Sequence, residues 1–390
     1  MRIFVILSRV PYPLEKGDKL RAFHQIKALS KNNEIILCAL NHNRKLNKQE
    51  AFSKLQPYCR SINFIELPWY AIPINIIKAF FKGLPLQVGF FYNAKANRKI
   101  RKLFNEYKPD HVYCQLLRTA EYGKHLPVPK TIDYQDVFSY GVKRRFNRAS
   151  FWMKPVLASE YKRLVSYEDR MFGLFDNKTI ISIPDRDLIH HPDRNKIHVI
   201  PNGVDHDFFS PMDKPKKFNL VFTGNMSYPP NVDAAGFLAN EIMPLVWKQL
   251  PQVTLLIAGA NPDAKVKSLK SIKINISGWM DDIRDAYASS DIFIAPMRIG
   301  TGLQNKLLEA MSMKIPSITT PLANDALKAI SGSDILTGNN ANELAQHIIN
   351  LVNNKTLAQN IANNGYLFVH KHYSWTEASV KLENVMKSGK

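Results

Sequence analysis

The chain has little of what would tie it to a disulfide scaffold, a zinc centre or a membrane span. Cys38, Cys59 and Cys114 are its only cysteines in 390 residues. Three scattered thiols exclude a disulfide framework and a cysteine-based zinc site, and they fit a reducing compartment. The apolar run in the opening "MRIFVILSRV" is five residues long and no small-residue cleavage site follows, so it reads as a first strand rather than a signal peptide. The most apolar segment, Trp69 to Tyr92, is broken by two prolines and two lysines and is not a spanning helix. Two readings of it stand: a surface element dipping into a membrane interface, or a helical hairpin packed on its own domain. Acidic residues are scarce, 33 against 53 Lys and Arg. The imbalance is local. Residues 1–200 hold 35 of the basic and 17 of the acidic residues, leaving +18 there and +2 in the rest. A field of that kind suits an anionic partner for the first half: nucleic acid, phospholipid or a phosphorylated substrate. No basic-aromatic nucleic-acid module accompanies it, and nucleic acid is set aside.

Short apolar runs alternate with amphipathic segments along the whole chain. "IFVIL", "EIILCAL", "SINFIEL", "HVYCQLL" and "KTIDYQ" form one series, and "FNLVFTG", "VTLLIAGA", "IKINISG", "DIFIAPM" and "PSITT" form a second. Strands alternating with helices predict parallel sheets covered on both faces. Turn chemistry in "VIPNGVDHDFFSPMDKPKKF" separates the two series. The expected organisation is an α/β chain of two Rossmann-like, doubly wound domains, 1–198 and 199–372, with a last helix at 373–390 crossing back to the first.

In the second series, glycines stand where strands end: Gly224, Gly259, Gly278 and Gly300. Ligands of doubly wound sheets bind beyond those strand ends. In "RIGTGLQNKLLEAM", Gly300 and Gly302 precede a helix expected to start near Leu303, whose free N–H groups and partial positive charge suit a phosphate. Glu309, about two turns in, is placed to accept bonds from two vicinal hydroxyls such as those of a ribose, or is a solvated helix glutamate. Lys306 is a phosphate contact or a surface lysine. The segment is no Walker loop, since no Gly precedes Lys306 and no Ser or Thr follows it. The triplets Asp185/Asp187 and Asp205/Asp207 could hold a divalent cation, but neither clearly ends a buried strand.

Taken together, "VIPNGVDHDFF", "FTGNMSYPPNVDAAGFL", "ISGWMDDIRDAYASSDIFIAPMRIGTGLQNKLLEAMSMKIPSITT" and "YSWTEASVKL" resemble family 4 glycosyltransferases, densely from about 195 to 385. "RVPYPLEKGDKLRAFHQIKAL" resembles that family's first loop and helix. The narrower likeness is to members that build exported or capsular polysaccharide. The resemblance implies a GT-B fold, two Rossmann-like domains facing each other across a cleft, and retaining transfer from a nucleoside diphosphate-sugar without metal or cofactor. It places the donor on Gly224, Asn225, Gly278, Trp279, Met280, Arg298, Gly300, Thr301, Gly302, Leu303, Gln304 and Asn305. Glu309, Lys306 and Asp136 take the catalytic roles, and Gly17, Asp18 and Gln135 lie on the acceptor side. The partners it implies are a nucleotide-sugar and a lipid-linked or glycan acceptor. The protein is then expected in the cytoplasm, peripheral on an anionic plasma membrane. Departures from the family pattern are Thr301 where a first glutamate is usual, Gln135 beside Asp136 where a histidine is usual, and no Arg/Lys pair after Gly224. A sugar-nucleotide epimerase of the same fold and a catalytically degenerate scaffold are the alternatives.

Overall fold

The computed structural model describes residues 1–14, 16–300 and 302–388. The chain divides into two compact units, Met1–Pro201 with the segment from Trp375 onward, and Asn202–Ser374. In the first unit the strands are β1 (Arg2–Leu7), β2 (Glu34–Asn41), β3 (Ser61–Glu66), β4 (His111–Gln115), β5 (Lys130–Asp133), β6 (Asn177–Ile180) and β7 (His198–Val199). They form one parallel sheet in the order β3-β2-β1-β4-β5-β6-β7. Strand β1 shows why the run is apolar throughout. Phe4 and Ile6 face one core with Phe104 and Tyr167, while Ile3, Val5 and Leu7 face another with Ala22 and Leu382. A parallel strand buried on both faces cannot alternate with polar residues. The C-terminal helix Trp375–Ser388 packs on the helix Gly17–Leu29, where Trp375 stacks on His24 at 4.9 Å.

Beneath the ends of β4 and β5 lies a fully buried ion pair. Arg21 donates to both oxygens of Asp133, at 2.7 and 3.2 Å, and Thr179 donates to the same carboxylate at 2.9 Å. The Tyr113 hydroxyl lies 2.7 Å from Gln25 Oε1 and 2.8 Å from Asp133 Oδ2. Every charge there has a partner, the condition under which a buried pair is tolerated.

The second unit contains β8 (Phe218–Thr223), β9 (Leu255–Ala258), β10 (Ile274–Gly278), β11 (Ser290–Ala295), β12 (Ser317–Thr319) and β13 (Leu336–Thr337), ordered β10-β9-β8-β11-β12-β13 and parallel. The chain runs outward from β8 to β10 and then returns to place β11 on the other side of β8. That reversal opens a crevice beyond the carboxyl ends of β8 and β11. Gly259 shows how closely the strand ends pack: at φ +135°, a Cβ there would meet Gly224 O at 1.9 Å.

The segment Trp69–Tyr92 forms a helical hairpin, Ala71–Phe81 and Leu86–Phe91. Phe91 and Val88 enter the core, whereas Trp69, Tyr70, Ile74, Ile77, Phe80 and Phe81 are exposed. Among the described residues no helix is long and apolar enough to cross a membrane.

Candidate active site

The helix after the Gly300 turn runs from Asn305 to Ser312, two residues later than the expected start at Leu303. The reason is local. Gln304 is extended (φ −91°, ψ 99°), and Leu303 turns its side chain onto the core instead of opening the helix. Gln304 makes no side-chain cap, and its Nε2 donates back to Gly302 O at 2.9 Å. Among the described residues no side chain caps the first N–H groups of the helix. Gly300 sits at φ +105° with nothing within 4 Å of where a Cβ would be, so the turn is open. Thr301 lies outside the described residues.

Lys306 and Glu309 keep some solvent contact, yet protein crowds both. The Lys306 ammonium donates to Asn231 Oδ1 at 2.5 Å, lies 4.8 Å from the Phe222 ring centroid and 3.8 Å from Met297 Sδ. Such an apolar setting disfavours the charge. Burial brings its pKa down to about 7, against the pull of Glu309. Burial raises the Glu309 carboxyl, opposed by the Tyr287 hydrogen bond and by Lys306. Tyr287 donates to Glu309 Oε2 at 2.7 Å and its hydroxyl also lies 2.7 Å from Thr223 Oγ1, at the end of β8. One carboxylate oxygen is therefore anchored to the sheet. Among the described residues nothing bonds the other.

Asn231 joins the two halves of this arrangement, since its Nδ2 donates to Asn225 O at 2.9 Å while its Oδ1 accepts from Lys306. Neither Asn231 nor Tyr287 was singled out from the sequence. The signals available were an asparagine at the start of the helix after the Gly224 turn and a lone tyrosine among the small residues of "RDAYAS". Asn225 Oδ1 caps Ser227, and Asn305 Oδ1 accepts from Asn202 at 3.1 Å. Gly278 ends β10 at φ +69°, followed by exposed Trp279 and by Met280, which packs on the core. Arg298 is engaged elsewhere: it pairs with Asp233 at 3.1 Å and Glu241 at 3.3 Å over the Phe237 ring.

In the first unit, Gly17 opens its helix and Asp18 pairs with Arg9 at 2.7 Å. Gln135 sits at φ +58° with its side chain buried and its Nε2 without a partner among the described residues. Asp136 retains solvent contact, but crowding by protein atoms raises its pKa against the lowering effects of Arg144, the Val137 N–H and Arg118. Asp185 and Asp205 act as local caps, accepting from Ser182 Oγ and from Phe208 N. Among the described residues no group of three or more His, Cys, Asp and Glu is placed to hold a metal ion.

Residues 217–354, all in the second unit, match the family model for glycosyl transferases group 1. An uncharacterized 44.6 kDa protein of the cps region of Klebsiella pneumoniae is 23% identical over 95% of this chain and 96% of its own length. Anabaena Alr3699/HepE, solved with UDP and glucose, aligns over 99% of both chains with a TM-score of 0.70 at 13% identity. Sucrose-phosphate synthase from Thermosynechococcus elongatus aligns over 100% of this chain and 99% of its own, with a TM-score of 0.70 at 15% identity. S. aureus TarM, solved with UDP and alpha-GlcNAc-glycerol among its ligands, gives 0.68 at 12% identity over 99% of both chains. With a half-buried lysine and an anchored glutamate on the helix after the Gly300 turn, at the switch point of its second sheet, the chain has the GT-B fold, and within it residues 217–354 carry the likeness to glycosyl transferases group 1.

Proposed function

We propose that the protein is a retaining glycosyltransferase that moves a sugar from a nucleoside diphosphate-sugar to a lipid-linked or polysaccharide hydroxyl. One observation carries this reading. The open Gly300 turn leads to a helix whose first amides and one Glu309 oxygen have no side-chain partner among the described residues, and whose Lys306 is held in an apolar setting. The diphosphate is assigned to those amides and Lys306, and the ribose to Glu309. Gly224, Asn225, Gly278, Trp279 and Met280 surround the nucleoside. Arg298 would have to leave Asp233 and Glu241 to take part, so Lys306 is the cation assigned to the phosphates.

Transfer breaks the bond from the anomeric carbon to the β-phosphate oxygen, which keeps the electron pair. The acceptor oxygen bonds to the same carbon on the same face, and its proton passes to the departing phosphate. Asp136 is the protein carboxylate assigned to assist that proton. Negative charge grows on the leaving oxygen, so preorganised amides and an ammonium favour the transition state over the ground state. The UDP and glucose found with Alr3699/HepE support UDP as the first nucleotide to try, and the cps-region relative supports a role in surface polysaccharide synthesis.

Work at the membrane's cytoplasmic face is part of this proposal. The exposed hairpin aromatics flank Lys78 and Lys82, and Phe151, Trp152 and Met153 are exposed at the start of the helix Lys154–Leu174. That helix holds the hairpin directly: Arg163 donates to Phe80 O at 2.7 Å, and Glu160 accepts from Leu86 N at 2.7 Å. Aromatic and basic side chains together suit the interface of an anionic bilayer. The test of the activity is nucleotide release from a panel of nucleotide-sugars, with and without lipid-linked acceptors. Release that needs the acceptor supports transfer; release independent of any second substrate favours epimerisation, and no release with any donor refutes the enzyme.

A further inference from the structure

The helix Pro229–Phe237 follows the Gly224 turn and opens on Pro229 and Pro230, whose fixed φ stiffens its first turn. Asn231 stands on that turn, buried, with its backbone N–H bonded to Tyr228 O at 2.8 Å. Its side chain packs on the Gly224 backbone so closely that a Cβ on Gly224 would lie 2.6 Å from Asn231 Nδ2. Glycine is the residue that leaves room for the amide. Both ends of that amide are used. Nδ2 donates to Asn225 O at 2.9 Å, and Oδ1 accepts from the Lys306 ammonium at 2.5 Å. A flipped amide would set a donor against the ammonium and an acceptor against the carbonyl, so its partners dictate its orientation.

Among the described residues, Asn231 Oδ1 is the one oxygen bonded to Lys306 Nζ, whose other neighbours are Met297 Sδ at 3.8 Å and the Phe222 ring at 4.8 Å. That this acceptor is an amide matters. A carboxylate in its place would hold the ammonium as firmly, but it would cancel the charge and repel a phosphate. An amide oxygen carries only a partial charge, so it fixes the ammonium and leaves its positive charge for an anion. The nearby carboxylates are engaged: Asp233, on the same helix as Asn231, pairs with Arg298, and Glu309 has one oxygen on Tyr287.

We propose that Asn231 is the positioning residue for Lys306: an uncharged hook that ties the ammonium to the loop after β8, so that the two are held as one unit for the donor diphosphate. The proposal rests on the transferase reading above and deepens its donor site. Asn231 acts through Lys306.

The test uses the full chain and two variants close to asparagine in shape, Asn231→Asp and Asn231→Leu. Titration of Lys306 is followed in the free protein by NMR on lysine isotope-labelled at Cε, with Lys306→Met identifying the signal. Asn231→Asp should raise the midpoint by about one pH unit or more, because a counter-charge replaces a dipole. Asn231→Leu should lower it, because the ammonium loses its acceptor. A site merely loosened by substitution would admit water and raise the midpoint in both. By calorimetry at pH 7, UDP affinity should fall about tenfold or more in Asn231→Leu. In Asn231→Asp, the roughly fivefold loss of affinity expected of the wild type from pH 7 to 8 should shrink to about twofold or less. Midpoints that stay put or rise in both variants overturn the proposal, as does an unchanged UDP affinity in Asn231→Leu. Midpoints displaced in opposite directions, in a protein that binds no UDP, would instead overturn the donor assignment and leave the hold on Lys306 standing.

Discussion

Raising the pH from 7 to 9 should weaken nucleotide binding through Lys306. In the free protein, burial holds its ammonium at about 7, with Glu309 opposing the fall. A diphosphate at Nζ favours the charged form and returns the pKa towards the ordinary lysine value of about 10.4. Between those values the complex holds more protons than the free protein, so binding takes up a proton and affinity falls as pH rises. With a free pKa of about 7, the apparent Kd should rise about fivefold from pH 7 to 8 and about fiftyfold from 7 to 9. The terminal phosphate of UDP titrates near pH 6, about one unit below this window, so the window reports on the protein. Calorimetry of UDP in buffers of different ionisation enthalpy reads the uptake directly: about half a proton at pH 7 and nearly one at pH 8. Lys306→Met should abolish the dependence. A flat affinity from pH 7 to 9, or uptake that survives in that variant, would refute the reasoning.

Glu309→Gln keeps an acceptor for Tyr287 but loses the charge offered to the ribose, so UDP affinity should fall about tenfold or more by calorimetry; an unchanged affinity removes Glu309 from the site. Asp133→Asn leaves Arg21 buried without its counter-charge and should destabilise the chain by about 3–5 kcal/mol in urea denaturation, whereas a loss under about 1 kcal/mol would show that the pair is dispensable. Burial raises Glu168 to about 7, despite bonds from Ser139, so from its ordinary 4.5 up to 7 the folded state retains a proton that the unfolded chain has lost. Stability from this group therefore falls as pH rises through that window. Glu168→Gln should raise Tm more at pH 8 than at pH 5, and equal gains at both would contradict the sign. Replacing exposed Trp69 and Phe81 by serine should abolish flotation with vesicles containing anionic lipid, and undiminished flotation would remove the hairpin from the membrane contact.

The sheets were legible because parallel strands buried on both faces write continuous apolar runs, as "IFVIL" and "DIFIAPM" do. The Gly300 turn and the two charged residues of the helix after it were legible because punctuation and spacing are local. What holds those residues was not. Tyr287 reaches Glu309 from 22 positions away, and Asn231 reaches Lys306 from 75. Nothing in the sequence near Lys306 announces that Phe222 and Met297 strip its water. Trp69–Tyr92 was ambiguous because aromatics that pack and aromatics that face outward read alike. The structure sends Phe91 inward and Phe81 outward.

The most direct measurement is a crystal structure of the protein with UDP. Its diphosphate should lie against the backbone amides of Asn305 and Lys306 with the Lys306 ammonium in hydrogen-bond reach, and both ribose hydroxyls should meet Glu309. A nucleotide bound elsewhere, or one seated here with Glu309 still turned only to Tyr287, would contradict the assignment.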